Sequence, residues 1–184
     1  MSDNESTAPD GGLTAGADGG QDAAESRTPA ELHAETPVET PVEPAPELIT
    51  ALDEAAAASK ASPGDAAVQE RLWRAAFAID RWLFIARGSD DEPTPFALRS
   101  DEGAVIFAFS TADRAHEAAL GFGLPEEEAS RLLAVPLPSA AAWVASYAEA
   151  GVEAMVFDAP GNGAMAPLSN LAAMAVYISQ NPSA

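Results

Sequence analysis

The first hydrophobic positions of the chain with regular spacing lie between residues 48 and 80, and their spacing is helical. Leu48, Ile49 and Leu52, followed by four consecutive alanines, predict a helix that stops before Pro63 and Gly64. A second helix is predicted over residues 65–80, where the apolar side chains form one stripe that must pack on another apolar surface. The stripe consists of Val68, Leu72, Ala75, Ala76 and Ile79.

Short continuous apolar runs then replace the helical spacing. Residues 82–86, 96–98 and 104–109 are runs of this kind, and such runs predict strands that are buried on both faces. Residues 101–103 suit a short hairpin connection between the last two runs. The first half of the domain is therefore predicted to be an antiparallel meander.

The second half alternates helices and strands. Ser110 or Thr111 can cap a helix that reaches about Leu120 and stops at Gly121. Residues 132–135 and 155–157 predict strands, and between them Ser139 caps a predicted helix. A strand, a helix and a strand in succession indicate a crossover and hence at least one parallel pair.

A last helix is predicted from Pro167 to about Ser179. Together, these elements predict an α+β fold, with a mixed, mainly antiparallel sheet of about five strands packed by helices.

Residues 1–47 differ in composition from the rest of the chain. They hold eleven acids, one Arg and six Pro but four aliphatic side chains larger than Ala, and all twelve aromatic residues lie at or after Trp73. Burial cannot offset the entropy of ordering such a segment, so it is predicted to be a disordered acidic tail before one domain at residues 48–184. The tail fits either a solubilising spacer or an acidic arm that masks a basic surface of a partner.

Charge and composition exclude several functions. The net charge is −20, and residues 48–184 carry 18 acids against 8 bases with no basic cluster, which argues against nucleic-acid binding. The chain has no Cys, and therefore no disulfide or thiolate metal site. No run approaches the roughly 18 apolar residues of a membrane span, and residues 1–5 do not begin a signal peptide. The sequence predicts a cytoplasmic protein that binds neither membranes nor nucleic acid.

The order of the elements resembles the N-terminal domain of the bacterial SseB-like family, named after the enhanced serine sensitivity protein. The first strand opens with Trp82-Leu83-Phe84-Ile85, and Ser110-Thr111-Ala112-Asp113 matches the family's step from a strand into a helix. Asp158-Ala159-Pro160-Gly161 matches the Asn or Asp, Pro and Gly after the family's last strand, with an intervening Ala. The resemblance covers roughly residues 48–178. It implies a small α+β domain without established enzymatic activity, and the residues themselves indicate no role in serine metabolism.

No group of residues forms a recognisable catalytic or metal site. His116, near Asp113 and Glu117, fits a general base, and it equally fits an ordinary helix histidine. The acids at 126–128 fit a solvated helix start after Pro125 better than a cation site. The paired glycines at 121 and 123 and at 161 and 163 lack the third Gly of a dinucleotide-binding motif. We therefore expect no enzymatic activity, no cofactor and no metal.

Two places remain as candidate binding sites. A turn after the last predicted strand combines a carboxylate, backbone amides and an Asn amide that could hold a small, amino-acid-like ligand. Its residues are Asp158, Pro160, Gly161, Asn162 and Gly163.

The last helix is apolar almost all round, so it is either enclosed by its own domain or covers a partner or a second copy of the chain. Leu171, Met174 and Ile178 are its candidate interface residues. The sequence predicts a protein-interaction or regulatory module that binds a partner protein or a second copy of the chain, with a small-molecule sensor as the alternative.

Overall fold

The computed structural model describes residues 43–100, 103–161 and 163–182. Of the predicted tail, residues 1–42 lie outside this part, and the first helix begins two residues before the predicted boundary. The helices are α1 (Pro46–Ala61), α2 (Ala66–Ala78), α3 (Ala112–Gly121), α4 (Glu126–Ala129), α5 (Ser139–Ser146) and α6 (Leu168–Gln180), and a 3-10 turn (Tyr147–Ala150) follows α5. The strands are β1 (Arg81–Gly88), β2 (Pro93–Pro95), β3 (Ala97–Ser100), β4 (Gly103–Ala108), β5 (Leu132–Pro136), β6 (Val152–Phe157) and β7 (Ala164–Pro167).

The helix starts follow from local chemistry. The Asp65 carboxylate accepts hydrogen bonds from the amides of Ala67 and Val68, and the Thr111 hydroxyl accepts one from the amide of Arg114. These side chains satisfy amides that have no partner within the helix. The prediction that Ser139 caps α5 is wrong, because Ser139 is the first helical residue and the capping position belongs to Pro138, which makes no side-chain cap.

The predicted α+β class, with mainly antiparallel pairing, is confirmed, but the strands form two sheets rather than one. The first sheet has the order β2-β1-β5 and is antiparallel throughout. The second has the order β3-β4-β6-β7. The predicted meander is therefore divided: β3 and β4 form the expected hairpin, while β1 pairs with other strands.

The expected parallel pair exists between different strands from those predicted. Strand β4 pairs in parallel with β6, and β5, the strand before the crossover helix α5, belongs to the other sheet. Strand β7 was not predicted. It pairs with β6 in antiparallel orientation and leads into α6.

The two sheets are joined at two places. Residues 93–100 pass from the first sheet to the second at Phe96, whose amide donates to the carbonyl of Ile85. Leu83 and Phe109 exchange two backbone hydrogen bonds, of 2.9 and 2.8 Å, between β1 and the end of β4. The two sheets are therefore connected through backbone hydrogen bonds made by β1.

Alternation along β1 divides the core into two apolar clusters. Trp82 and Phe84 point to one face, and Leu83 and Ile85 point to the other, so β1 is buried on both sides as predicted. Strand β3 differs: Leu98 is 44 % exposed because β3 is an edge strand. The larger cluster includes Leu52, Leu72, Trp82, Phe84, Ile106, Val144, Met155, Phe157, Leu168 and Leu171. The smaller cluster consists of Leu83, Ile85, Phe107, Phe109, Ala115, Ala118, Ala119 and Ala129.

Candidate functional site

The turn after β6 begins with a buried carboxylate. Asp158 is 2 % exposed and takes a left-handed backbone conformation, with φ of 54°. Its two carboxylate oxygens accept hydrogen bonds from the Ser110 amide (2.7 Å), the Ser110 hydroxyl (2.8 Å) and the Arg114 guanidinium (2.7 Å). Burial raises the pKa of Asp158, and these bonds and the Arg114 charge oppose that rise.

Arg114 connects this carboxylate to the first helix. Its second terminal nitrogen donates to both carboxylate oxygens of Asp53 on α1, each at 2.8 Å. Burial lowers the pKa of Arg114, but the charges and hydrogen bonds of Asp158 and Asp53 outweigh it, so the net shift is upward. The network therefore ties α1 and α3 to the carboxyl ends of the parallel strands β4 and β6.

The other residues of this predicted ligand turn have structural roles or lie at the surface. The Gly163 amide donates to the Asp158 carbonyl at 3.2 Å, and the Gly161 carbonyl accepts a hydrogen bond from the side chain of Lys60 on α1. Pro160 is exposed, and Asn162 lies outside the described residues. A ligand at this turn would have to compete with Ser110 and Arg114 for the Asp158 carboxylate.

The three candidate interface residues of α6 occupy different environments. Leu171 is fully buried in the larger cluster, so it is a core residue and not part of a surface. Met174 and Ile178 are partly buried and pack against the edge of that cluster. Val176, on another side of the same helix, is 54 % exposed. The helix is thus held by its own domain along one face.

Met174 and Ile178 line a groove between α2 and α6 with a volume of about 320 Å³. Trp73, 6 % exposed, also lines it. Its walls are mainly apolar, with a few polar side chains at the edge. The complete lining is Ala66, Gln69, Glu70, Trp73, Met174, Tyr177 and Ile178.

Polar groups hold one side of this groove in place. Glu70 Oε1 accepts from Arg74 Nε at 2.9 Å and from another Arg74 nitrogen at 2.7 Å. The Tyr177 hydroxyl donates to the same oxygen at 3.3 Å. Arg74 also lies 5.5 Å from the centre of the Tyr177 ring and donates to the Asn181 carbonyl. These contacts link α2 to the end of α6 and fix the spacing of the groove walls.

Sequence reasoning missed Trp73, Glu70 and Tyr177 as groove residues and Arg114 as the partner of Asp158. A signal for Trp73 was present, because a large aromatic side chain lay outside the predicted apolar stripe of α2. The contact between Arg114 and Asp158 had no such signal, because nothing in the sequence relates two charges 44 residues apart.

A second groove, of about 480 Å³, lies between α1 and α2. Its walls are mostly alanines, and Glu54, Arg71 and Arg74 supply charges of both signs. It offers no large apolar side chain to anchor a ligand or a partner.

The remaining candidate residues, His116 and the acids at 126–128, do not come together as a catalytic or metal site in the described part of the chain. His116 is partly exposed and lies 2.8 Å from the Glu126 carboxylate. Glu128 pairs with Arg87 across to β1, and the acids at 126–128 form the short helix α4. Within the described ranges, no three His, Asp or Glu side chains lie close enough together to hold a metal ion.

Comparisons with known proteins found no relative of this chain. No family model, no curated protein and no solved structure matches the chain. Of the helices in the described part, none is both long and apolar enough to cross a membrane.

Proposed function

We propose that this chain is a non-enzymatic, cytoplasmic protein-interaction module of the SseB-like kind, and that it binds its partner at the groove between α2 and α6. One observation carries the proposal: the partly exposed side chains of Met174 and Ile178 line one apolar groove together with the edge of the buried Trp73. A large apolar side chain of a partner would bury surface there, and burial of this kind drives most protein association.

The alternative function, a sensor of a small amino-acid-like ligand, has weaker support. The turn at residues 158–163 offered a carboxylate as its main ligand group, and that carboxylate already accepts three hydrogen bonds from Ser110 and Arg114. A ligand that must displace them loses part of its binding energy in doing so.

Affinity capture with matched variants tests the proposal. The full-length protein and its Ile178→Ser, Met174→Ser and Val176→Ser variants are used as bait in a lysate of the source organism, and bound proteins are identified by mass spectrometry. Val176 lies on the same helix outside the groove and serves as the control. We expect a near-stoichiometric partner on the wild type and on Val176→Ser, and its loss from both groove variants.

Two results would contradict the proposal. A partner retained equally by all four baits would place binding elsewhere, and absence of a partner from every bait would remove the support for an interaction module. Sedimentation of the pure protein over a range of concentrations tests whether the partner is a second copy of the chain. If the chain forms a homodimer through the groove, we expect the groove variants to weaken it and Val176→Ser to leave it intact. Urea unfolding of each variant establishes that the groove variants remain folded, because Met174 and Ile178 are partly buried.

A further inference from the structure

The groove between α2 and α6 has one carboxylate in its lining, and an Arg beside the groove pairs with it. Among the described residues that line it, Glu70 is the charged one, and no Lys or Arg is part of the lining. Arg74 approaches Glu70 from outside the groove, and both of its hydrogen bonds to that carboxylate end on Oε1. The Tyr177 hydroxyl uses Oε1 as well, so Glu70 Oε2 has no hydrogen-bond partner among the described residues.

The wider charge of the domain has the same sign as this carboxylate. Residues 48–184 carry 18 acids against 8 bases, and of those bases Arg74 and Arg114 are each held by carboxylates. A field of this sign attracts a cationic partner and repels an anionic one during diffusional encounter.

The spacing of the groove side chains fits a helix as the bound element. The groove walls are two helices, and Met174 and Ile178 are spaced four residues apart on one of them. A helix that lies in such a groove inserts side chains from one of its faces, as amphipathic peptides do in other hydrophobic grooves.

We propose that the partner presents a basic amphipathic helix, which places a large apolar side chain against Trp73, Met174 and Ile178 and a Lys or Arg beside Glu70 Oε2. This proposal rests on the proposed function, since it specifies the chemistry of the partner for the same groove. The groove between α1 and α2 does not suit this helix, because its alanine walls lack a large apolar side chain as an anchor.

The methionines of the chain provide a direct test. Met174 lines the groove, Met155 is fully buried in the core, and Met165 is 66 % exposed on β7. The full-length protein, labelled with carbon-13 on the methionine methyl groups, is titrated with a synthetic helical peptide of about 18 residues built from Leu and Lys, with Leu at i, i+3, i+4 and i+7. A matched peptide with Glu in place of Lys keeps the apolar face and reverses the charge.

We expect the Leu/Lys peptide to shift the Met174 methyl signal and leave those of Met155 and Met165 in place. Glu70→Gln is expected to weaken binding about two- to fivefold, as the loss of one partly exposed ion pair does. Glu117→Gln, the same charge change at an exposed site on α3 outside the groove, is expected to leave the affinity unchanged. Added salt should weaken binding to the wild type, which provides a second measure of the charge contribution that does not depend on a variant.

Each other outcome overturns a defined part of the reasoning. Equal shifts of Met174 with the Leu/Glu peptide, or equal affinities for Glu70→Gln and Glu117→Gln without salt dependence, would overturn the basic partner and leave the groove as an apolar docking site. If neither peptide shifts Met174, or if Met165 shifts instead, both this inference and the groove assignment of the proposed function fail.

Discussion

Replacing Arg114 by Met would leave the buried carboxylate of Asp158 without its cation. Removing one partner of a fully buried ion pair costs about 3–5 kcal/mol, because the remaining charge stays desolvated. The Arg114 side chain is 28 % exposed, and Ser110 keeps two hydrogen bonds to Asp158, so we expect a smaller loss of about 2–3 kcal/mol in the free energy of unfolding. That is a large part of the roughly 5–15 kcal/mol that stabilises a typical domain.

The loss should also depend on pH. Burial already raises the pKa of Asp158 in the folded protein, and removal of Arg114 takes away a charge that lowers it. A raised folded-state pKa means that stability is greatest when the carboxyl is protonated and falls as pH rises through that pKa. In the variant this fall extends to higher pH, so the difference from the wild type should be smaller near pH 5 than near pH 8.

Urea unfolding followed by tryptophan fluorescence at both pH values measures this effect. Arg131→Met is the matched control, because its partner Asp90 is almost fully exposed and an exposed ion pair contributes about 0–1 kcal/mol. The reasoning is refuted if Arg114→Met costs no more than Arg131→Met. It is also refuted if the cost of Arg114→Met is as large at the lower pH as at the higher one.

Four further substitutions test the packing, two glycines and one helix cap by the same unfolding assay. Trp82→Phe should cost about 2–3 kcal/mol, since it leaves a void in the larger cluster and a buried carbonyl of α2 without its indole donor; a cost below about 1 kcal/mol would contradict this packing. Gly88→Ala should be more destabilising than Gly151→Ala by about 1 kcal/mol or more. Both glycines have φ near 80°, so the backbone strain of an Ala is the same at the two sites. A Cβ at Gly88 would lie 2.7 Å from the Glu92 carbonyl oxygen, whereas one at Gly151 would meet nothing within 4 Å. Equal costs for the two substitutions would refute the clash at Gly88. Thr111→Ala should cost about 1 kcal/mol through loss of the α3 cap, and no measurable change would contradict the role of that hydrogen bond.

Local signals in the sequence predicted the elements that depend on neighbouring residues. The cap of α3 at Ser110 or Thr111, the turn at Pro63 and Gly64, and the burial of β1 on both faces each follow from a few adjacent positions, and the structure places the cap at Thr111. Strand β7 was missed because its four residues include one large apolar side chain, Met165, which faces solvent. A strand that pairs through its backbone at a sheet edge needs little hydrophobic pattern.

The division into two sheets could not be read from the pattern either, because an apolar run specifies burial and not the identity of the neighbouring strand. The candidate site shows the same limit. Met174 and Ile178 were selected as apolar residues of α6, but the groove that they line depends on Trp73 of α2, about 100 residues earlier in the chain.

From the passage of the chain between the sheets at Phe96, we expect the domain to unfold cooperatively. Residues 93–100 contribute a strand to each sheet, and Leu83 and Phe109 join the same two sheets through paired hydrogen bonds. Opening either sheet pulls on the segment at Phe96 that carries a strand of each sheet, so the two apolar clusters should unfold together. The amides of Leu83 and Phe109 should therefore exchange with solvent only when the whole domain unfolds, which makes two separate cores a single folding unit.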